Sequence, residues 1–137
     1  MSKMILGITG SKTFENRIKI KNFIHRLKEH TKEPITIVGL GDKNGADKYV
    51  KKFALELGYE YREMNPAHTT KTLYSLMTEA YYSKPYQARN FHQQGQIFTS
   101  YIDQCVIFDD SNQQDKKVSN LIKQLNKATK KAVIITP

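Results

Sequence analysis

Three segments of the chain repeat one spacing of apolar residues: Ile20, Phe23, Ile24 and Leu27; Val50, Phe53, Ala54 and Leu57; Val118, Leu121, Ile122 and Leu125. Steps of three, one and three put four side chains on one stripe of a helix, so each segment predicts an amphipathic helix that must cover another surface. Short runs rich in β-branched residues lie at 4–9, 35–38, 105–108 and 132–136, with a more amphipathic run at 59–64, and these five read as strands. Ile97, Phe98, Tyr101 and Ile102 also share one face at helical period and predict a further helix before the 105–108 strand. Alternating strands and helices predict a Rossmann-like, three-layer α/β/α fold around a mainly parallel five-stranded sheet, because each parallel connection needs a crossover. Four of the strands read as buried on both faces.

If the strands are ordered 3-2-1-4-5, the chain reverses its direction of travel across the sheet between the 4–9 and 105–108 strands, and ligands of open α/β sheets sit at the carboxyl ends of strands there. The loops of interest are therefore those after the strands. In the first, Gly10, Ser11 and Lys12 follow a strand and precede a helix, where glycine permits a tight turn and helix-start amides with a lysine favour an anion. In the second, Gly39-Leu40-Gly41 ends a strand and Gly45-Ala46-Asp47 opens a helix, with small residues leaving the turn's amides accessible to a ligand. This loop is neither Gly-x-x-x-x-Gly-Lys-Ser/Thr, since Ala46 and Asp47 replace the last two residues, nor Gly-x-Gly-x-x-Gly, since Asn44 takes the third glycine position. Asp47 fits a helix cap or local scaffold, with a ribose hydroxyl as the alternative. The fourth strand ends on Asp109 and Asp110. That pair would repel a phosphate unless Mg²⁺ lay between them, so it suits ribose hydroxyls, the metal or water.

One stretch, 69–86, exceeds a minimal unit and predicts a helical insertion around Leu73, Leu76 and Met77, followed by Tyr81, Tyr82 and Tyr86. It reads as a lid, an interface or a satellite helix on the sheet edge. A single domain over 1–137 is expected, with no repeat or low-complexity tract.

A net charge of +9 concentrates anions near the surface and suits phosphates, nucleic acid or an acidic partner. No apolar run approaches the roughly 20 residues of a membrane helix, and the N-terminal apolar run is too short for a signal peptide, so no membrane partner and a cytoplasmic location are expected. The single cysteine, Cys105, sits in an apolar run and reads as a buried thiol. Of the four histidines only His68 follows a strand end, and none has metal-ligand spacing. No nucleophile elbow or catalytic triad appears, and an enzymatic activity is left open.

The series Ile8-Thr9-Gly10-Ser11-Lys12-Thr13-Phe14, then Gly45-Ala46-Asp47 with Lys52-Phe53-Ala54-x-x-x-Gly58, then Pro66-Ala67, then Arg89-Asn90 resembles the YspA-like branch (DUF2493) of the SLOG superfamily. That superfamily is similar in fold to the lysine-decarboxylase-like phosphoribohydrolases, and its members bind nucleotides, nucleotide-derived signals or nucleic acid, some cleaving N-glycosidic bonds. The resemblance implies ligand contact at Gly10, Ser11, Lys12, Gly45, Asp47, Arg89 and Asn90, to which the loop chemistry adds Gly41, Ala46, Asp109 and Asp110. Lys12 stands where the family has arginine, keeping charge but losing the bidentate fork. After the fourth strand the family's glycine-rich, threonine-containing turn is replaced by Asp109-Asp110-Ser111-Asn112, which removes the implied phosphate cradle and weakens a phosphoribohydrolase reading. The expectation is a regulatory binder of a nucleotide-derived phosphorylated ligand. A nucleotide hydrolase and a single-stranded nucleic-acid binder, using the Tyr74, Tyr81, Tyr82 and Tyr86 cluster for stacking, are the alternatives, and self-association stays open.

Overall fold

The protein is described by a computed structural model over residues 4–30, 34–42, 45–109 and 116–136. Its elements run β1 (Met4–Gly10), α1 (Arg17–His30), β2 (Ile35–Gly39), α2 (Ala46–Glu56), β3 (Glu60–Glu63), α3 (Arg89–Tyr101), β4 (Gln104–Phe108), α4 (Lys116–Lys127) and β5 (Lys131–Ile135). Every strand pair is parallel and the order is β3-β2-β1-β4-β5, as the alternation predicts.

Two cores form because residues one apart on a strand face opposite ways. Leu6, Ile8, Ile35, Ile37, Val106 and Phe108 pack with Ile20 and Ile24 of α1 and Val50, Phe53 and Ala54 of α2. Val38, Cys105 and Ile107 pack with Phe98 of α3, with Ile102 just after it, and with Val118, Leu121 and Leu125 of α4. The residues that share a stripe in the sequence are thus the ones that close each face. Phe14 folds the first loop back into the core, its ring 5.4 Å from that of Phe108.

Two expectations are corrected. β5 is not buried on both faces: Val133 and Ile134 are exposed, because β5 is the last strand and nothing described lies beyond it. The helix expected around Leu73, Leu76 and Met77 does not form, and 69–86 holds a single 3₁₀ turn, Glu79–Tyr81. The physical reason lies at the opposite edge of the sheet. The Glu63 amide donates to the Tyr74 carbonyl at 2.9 Å and the Leu76 amide to the Glu63 carbonyl at 2.8 Å, so this stretch covers the edge of β3 as a short parallel bridge. Buried Glu63 reinforces it by accepting from Thr72 Oγ1 at 2.5 Å, Tyr61 Oη at 3.2 Å and Lys51 Nζ at 3.4 Å. Leu76 and Met77 join the second core while Leu73 stays exposed, so these apolar residues never shared one helix face.

Candidate functional site

The carboxyl edge of the sheet is assembled from loops that hold one another. Ser11 donates its amide to the Phe108 carbonyl at 3.0 Å, and the Ala46 amide, at the start of α2, donates to the Ser11 carbonyl at 3.2 Å. A methyl group on Gly10 would lie 2.1 Å from the Phe108 carbonyl oxygen and 2.6 Å from Ala46 Cβ. Gly45, at φ +69°, has its missing side chain aimed at the Ser11 and Lys12 carbonyl oxygens, each 2.4 Å from the ideal Cβ. The residues expected to open the second loop to a ligand therefore seat it against the first.

Asp47 is buried, with one carboxylate oxygen accepting from Thr9 Oγ1 at 2.5 Å and the other from the Asp42 amide at 3.2 Å. These bonds match the scaffold role expected for it, joining β1 to the second loop. Gly41, at φ +75°, lies against the Asn65 side chain. Asp109 continues the ladder by donating its amide to the Ile135 carbonyl at 2.9 Å, and Asp110 lies outside the described residues. Among the described residues no group of three histidine, cysteine or acidic side chains gathers as a metal site.

Arg89 and Asn90 are placed differently: they line a cavity of about 390 Å³ with Ala67, Ala80, Tyr81, Lys84, Pro85, Gln87 and Gln93. That volume falls in the range of small-ligand pockets. The cavity lies on the carboxyl side of the sheet, since Ala67 follows β3 and α3 begins at Arg89. Buried Gln94 fixes that geometry, its Nε2 donating to the Leu40 carbonyl at 2.9 Å and the Met64 carbonyl at 2.7 Å, which clamps α3 to the ends of β2 and β3.

The cavity's charge is one-sided. Lys84 and Arg89 line it and no acidic residue does, the first turn of α3 carries no carboxylate, and Ala88 supplies no side-chain cap to the helix start. The Asn90 and Phe91 amides at that helix end donate to the Gln87 and Ala88 carbonyls at 3.0 and 3.3 Å, so the charge offered to the cavity is that of Lys84 and Arg89. Tyr81, on the cavity wall, has a buried hydroxyl with no hydrogen-bond partner among the described residues. Burial, and then neighbouring Tyr82, raise its pKa, so it stays a neutral donor. The segment carrying Lys84 is fixed by Ser83, held at φ +64°, whose amide donates to the Thr69 carbonyl at 3.0 Å, and by the Lys84 amide donating to the Ala67 carbonyl at 3.0 Å. Asn90 Nδ2 donates to the Pro85 carbonyl at 3.3 Å and ties that segment to α3.

Sequence reasoning missed Lys84, Gln93 and Gln94. A lysine-proline pair four residues before Arg89 was the available signal for the first, but nothing local shows which lysine of a strongly basic chain turns toward a cavity.

Cys105 is no part of this site. Burial, with Asp47 as a lesser cause, pushes its thiol up to about 12. Thiol reagents at neutral pH should label it only after unfolding, a contrast readable by mass spectrometry with and without denaturant. Burial of Tyr61, with Glu63 and Asp47, likewise raises that hydroxyl. Both groups release protons more readily when unfolded, so above about pH 9 the unfolded chain binds fewer protons and stability should fall as pH rises. A Tm that stays level through the alkaline range would contradict these burials.

No protein family profile and no curated protein sequence matches the chain. Solved structures do match. Two structures of the molybdenum cofactor carrier protein from Chlamydomonas reinhardtii are similar: one with TM-score 0.65 at 17% identity, covering 99% of this chain and 79% of the carrier; the other with TM-score 0.63 at 15% identity, covering 99% and 78%. At such identity the likeness establishes the Rossmann-like α/β fold. Among the described residues no helix is long and apolar enough to cross a membrane.

Proposed function

We propose that this protein binds a phosphorylated small molecule of the nucleotide class at the carboxyl edge of its sheet, as a binder rather than a converter of that ligand. The observation that carries the reading is the cavity at the start of α3, lined by Lys84 and Arg89 with no acidic residue. A phosphate there would meet two cations, and charge-assisted hydrogen bonds to such a group are about twice as strong as neutral ones. Lys12, exposed on the loop after β1 at the same edge, remains in the proposal as a further anion contact. A fold shared with a protein named as a cofactor carrier supports holding a small ligand unchanged. Fold alone does not choose that ligand.

Isothermal titration calorimetry with ribose 5-phosphate and with AMP tests the reading. Saturable one-site binding of a phosphorylated probe is expected. Absence of saturable heat for both at millimolar concentration would overturn it.

A further inference from the structure

We propose that His68, Tyr86 and Phe91 form a stacking shelf for a planar heteroaromatic ring, so that the ligand is an aromatic base or similar ring system carrying the phosphate that Lys84 and Arg89 receive. The proposal rests on the binding reading above and adds the part of the ligand that the cavity does not describe.

The structure sorts the tyrosines by what they touch. Tyr74 meets Tyr61 edge to face at 5.8 Å and lies under the Lys51 ammonium at 5.3 Å. Tyr81 and Tyr82 pack on each other at 5.0 Å, with Tyr82 only 3% exposed. Tyr86 is 67% exposed, and Phe91, which no periodicity singles out, is 48% exposed. Their rings are 6.1 Å apart, and His68 braces both, 4.9 Å from Tyr86 and 5.3 Å from Phe91. All three contacts are strongly tilted, at 77°, 64° and 67°, so the rings support one another without stacking face to face. Much of the aromatic surface is left in water.

The three residues neighbour the cavity along the chain, and their rings stand outside its lining. Tyr86 lies between the lining residues Pro85 and Gln87, Phe91 follows Asn90, and His68 follows Ala67. The bonds at Ser83, Lys84 and Pro85 fix the backbone that leads into Tyr86, and the His68 and Phe91 rings contact its side chain. Nδ1 of His68 is buried with no hydrogen-bond partner among the described residues, so no bond of that atom sets the ring, and aromatic contacts position it. A purely apolar occupant would strip water from Lys84 and Arg89 without replacing it. A ring bearing a phosphate satisfies both halves, the aromatic faces by stacking and the cations by charge.

Calorimetry with inorganic phosphate, ribose 5-phosphate and AMP separates the two halves. AMP should bind wild type roughly tenfold to hundredfold more tightly than ribose 5-phosphate, the range of a stacked base. The Tyr86→Ala, Phe91→Ala double variant should erase that advantage, the loss falling on AMP, while Phe91→Tyr retains it. Wild type that binds both phosphates with equal affinity would overturn the shelf and leave the binding reading standing. So would a double variant that loses both ligands equally, since that is the mark of a structural role. An oligonucleotide that binds while AMP and ribose 5-phosphate do not would overturn the shelf and the small-ligand reading together.

Discussion

Replacing Lys84 and Arg89 together with alanine should lower the affinity for ribose 5-phosphate roughly 100-fold or more, since hydrogen bonds to charged groups contribute about 1.5–3 kcal/mol each. Both side chains are exposed, so Tm should move by no more than about 2 °C, the scale of a surface substitution. The control is Lys48→Ala, Lys52→Ala, which removes the same charge from α2 on the opposite face of the sheet. If the control weakens binding as much, the general field of a +9 chain attracts the ligand and the cavity does not. Ionic strength gives a second reading, since a steering field is screened within roughly 8–10 Å at ordinary salt while direct contacts in a partly enclosed site are screened less.

Gly45→Ala should destabilise the fold by about 3 kcal/mol, lowering Tm by roughly 10 °C for a domain of this size. The new methyl would meet two backbone carbonyl oxygens 2.4 Å away, and that of Ser11 is held in place because Ser11 is bonded through that carbonyl to Ala46 and through its amide to Phe108. Gly58 isolates the overlap from the backbone conformation. It has a similar φ of +79° with nothing within 4 Å of the ideal Cβ, so Gly58→Ala should cost only the left-handed penalty of about 1 kcal/mol. Melting curves by circular dichroism check the pair. Equal losses at the two positions would mean that the seam between the first and second loops yields easily. Gly45, expected from the sequence to contact a ligand, is by this geometry first a position on which stability depends.

The role of Asp47 shows how far a local reading reaches. Its position at the opening of a helix suggests a scaffold, and the bonds from Thr9 and Asp42 give it one, but that the first partner comes from β1 follows only from the neighbouring strand being β1. Arg89 and Asn90 entered through the family resemblance and line the cavity, whereas Lys84 and Gln93, which line it too, belong to no motif. The tyrosine cluster read as one stacking surface divides into three buried or braced rings and one exposed ring, because contacts and not spacing decide which aromatics stay in water.

Periodicity by itself determined the five strands, the four helices and the parallel sheet, since one-sided burial writes itself into a sequence at the period of the element that is buried. Only the tertiary structure decided the edges and the cavity. β5 is as apolar as the inner strands yet lies exposed at the margin, because hydrophobicity records what a strand can bury and not how many neighbours it receives. The stretch at 69–86 carries helical spacing yet lies along β3, because unpaired edge groups and the Glu63 carboxylate supply hydrogen bonds that a local helix would forgo. The cavity needs Ala67, the 80–87 segment and the start of α3 in one place, and the bonds that bring them there run from Lys84 to Ala67, from Asn90 to Pro85 and from Gln94 to Leu40 and Met64. Contacts across such separations leave no period in the sequence, so the binding site is visible only in the folded chain.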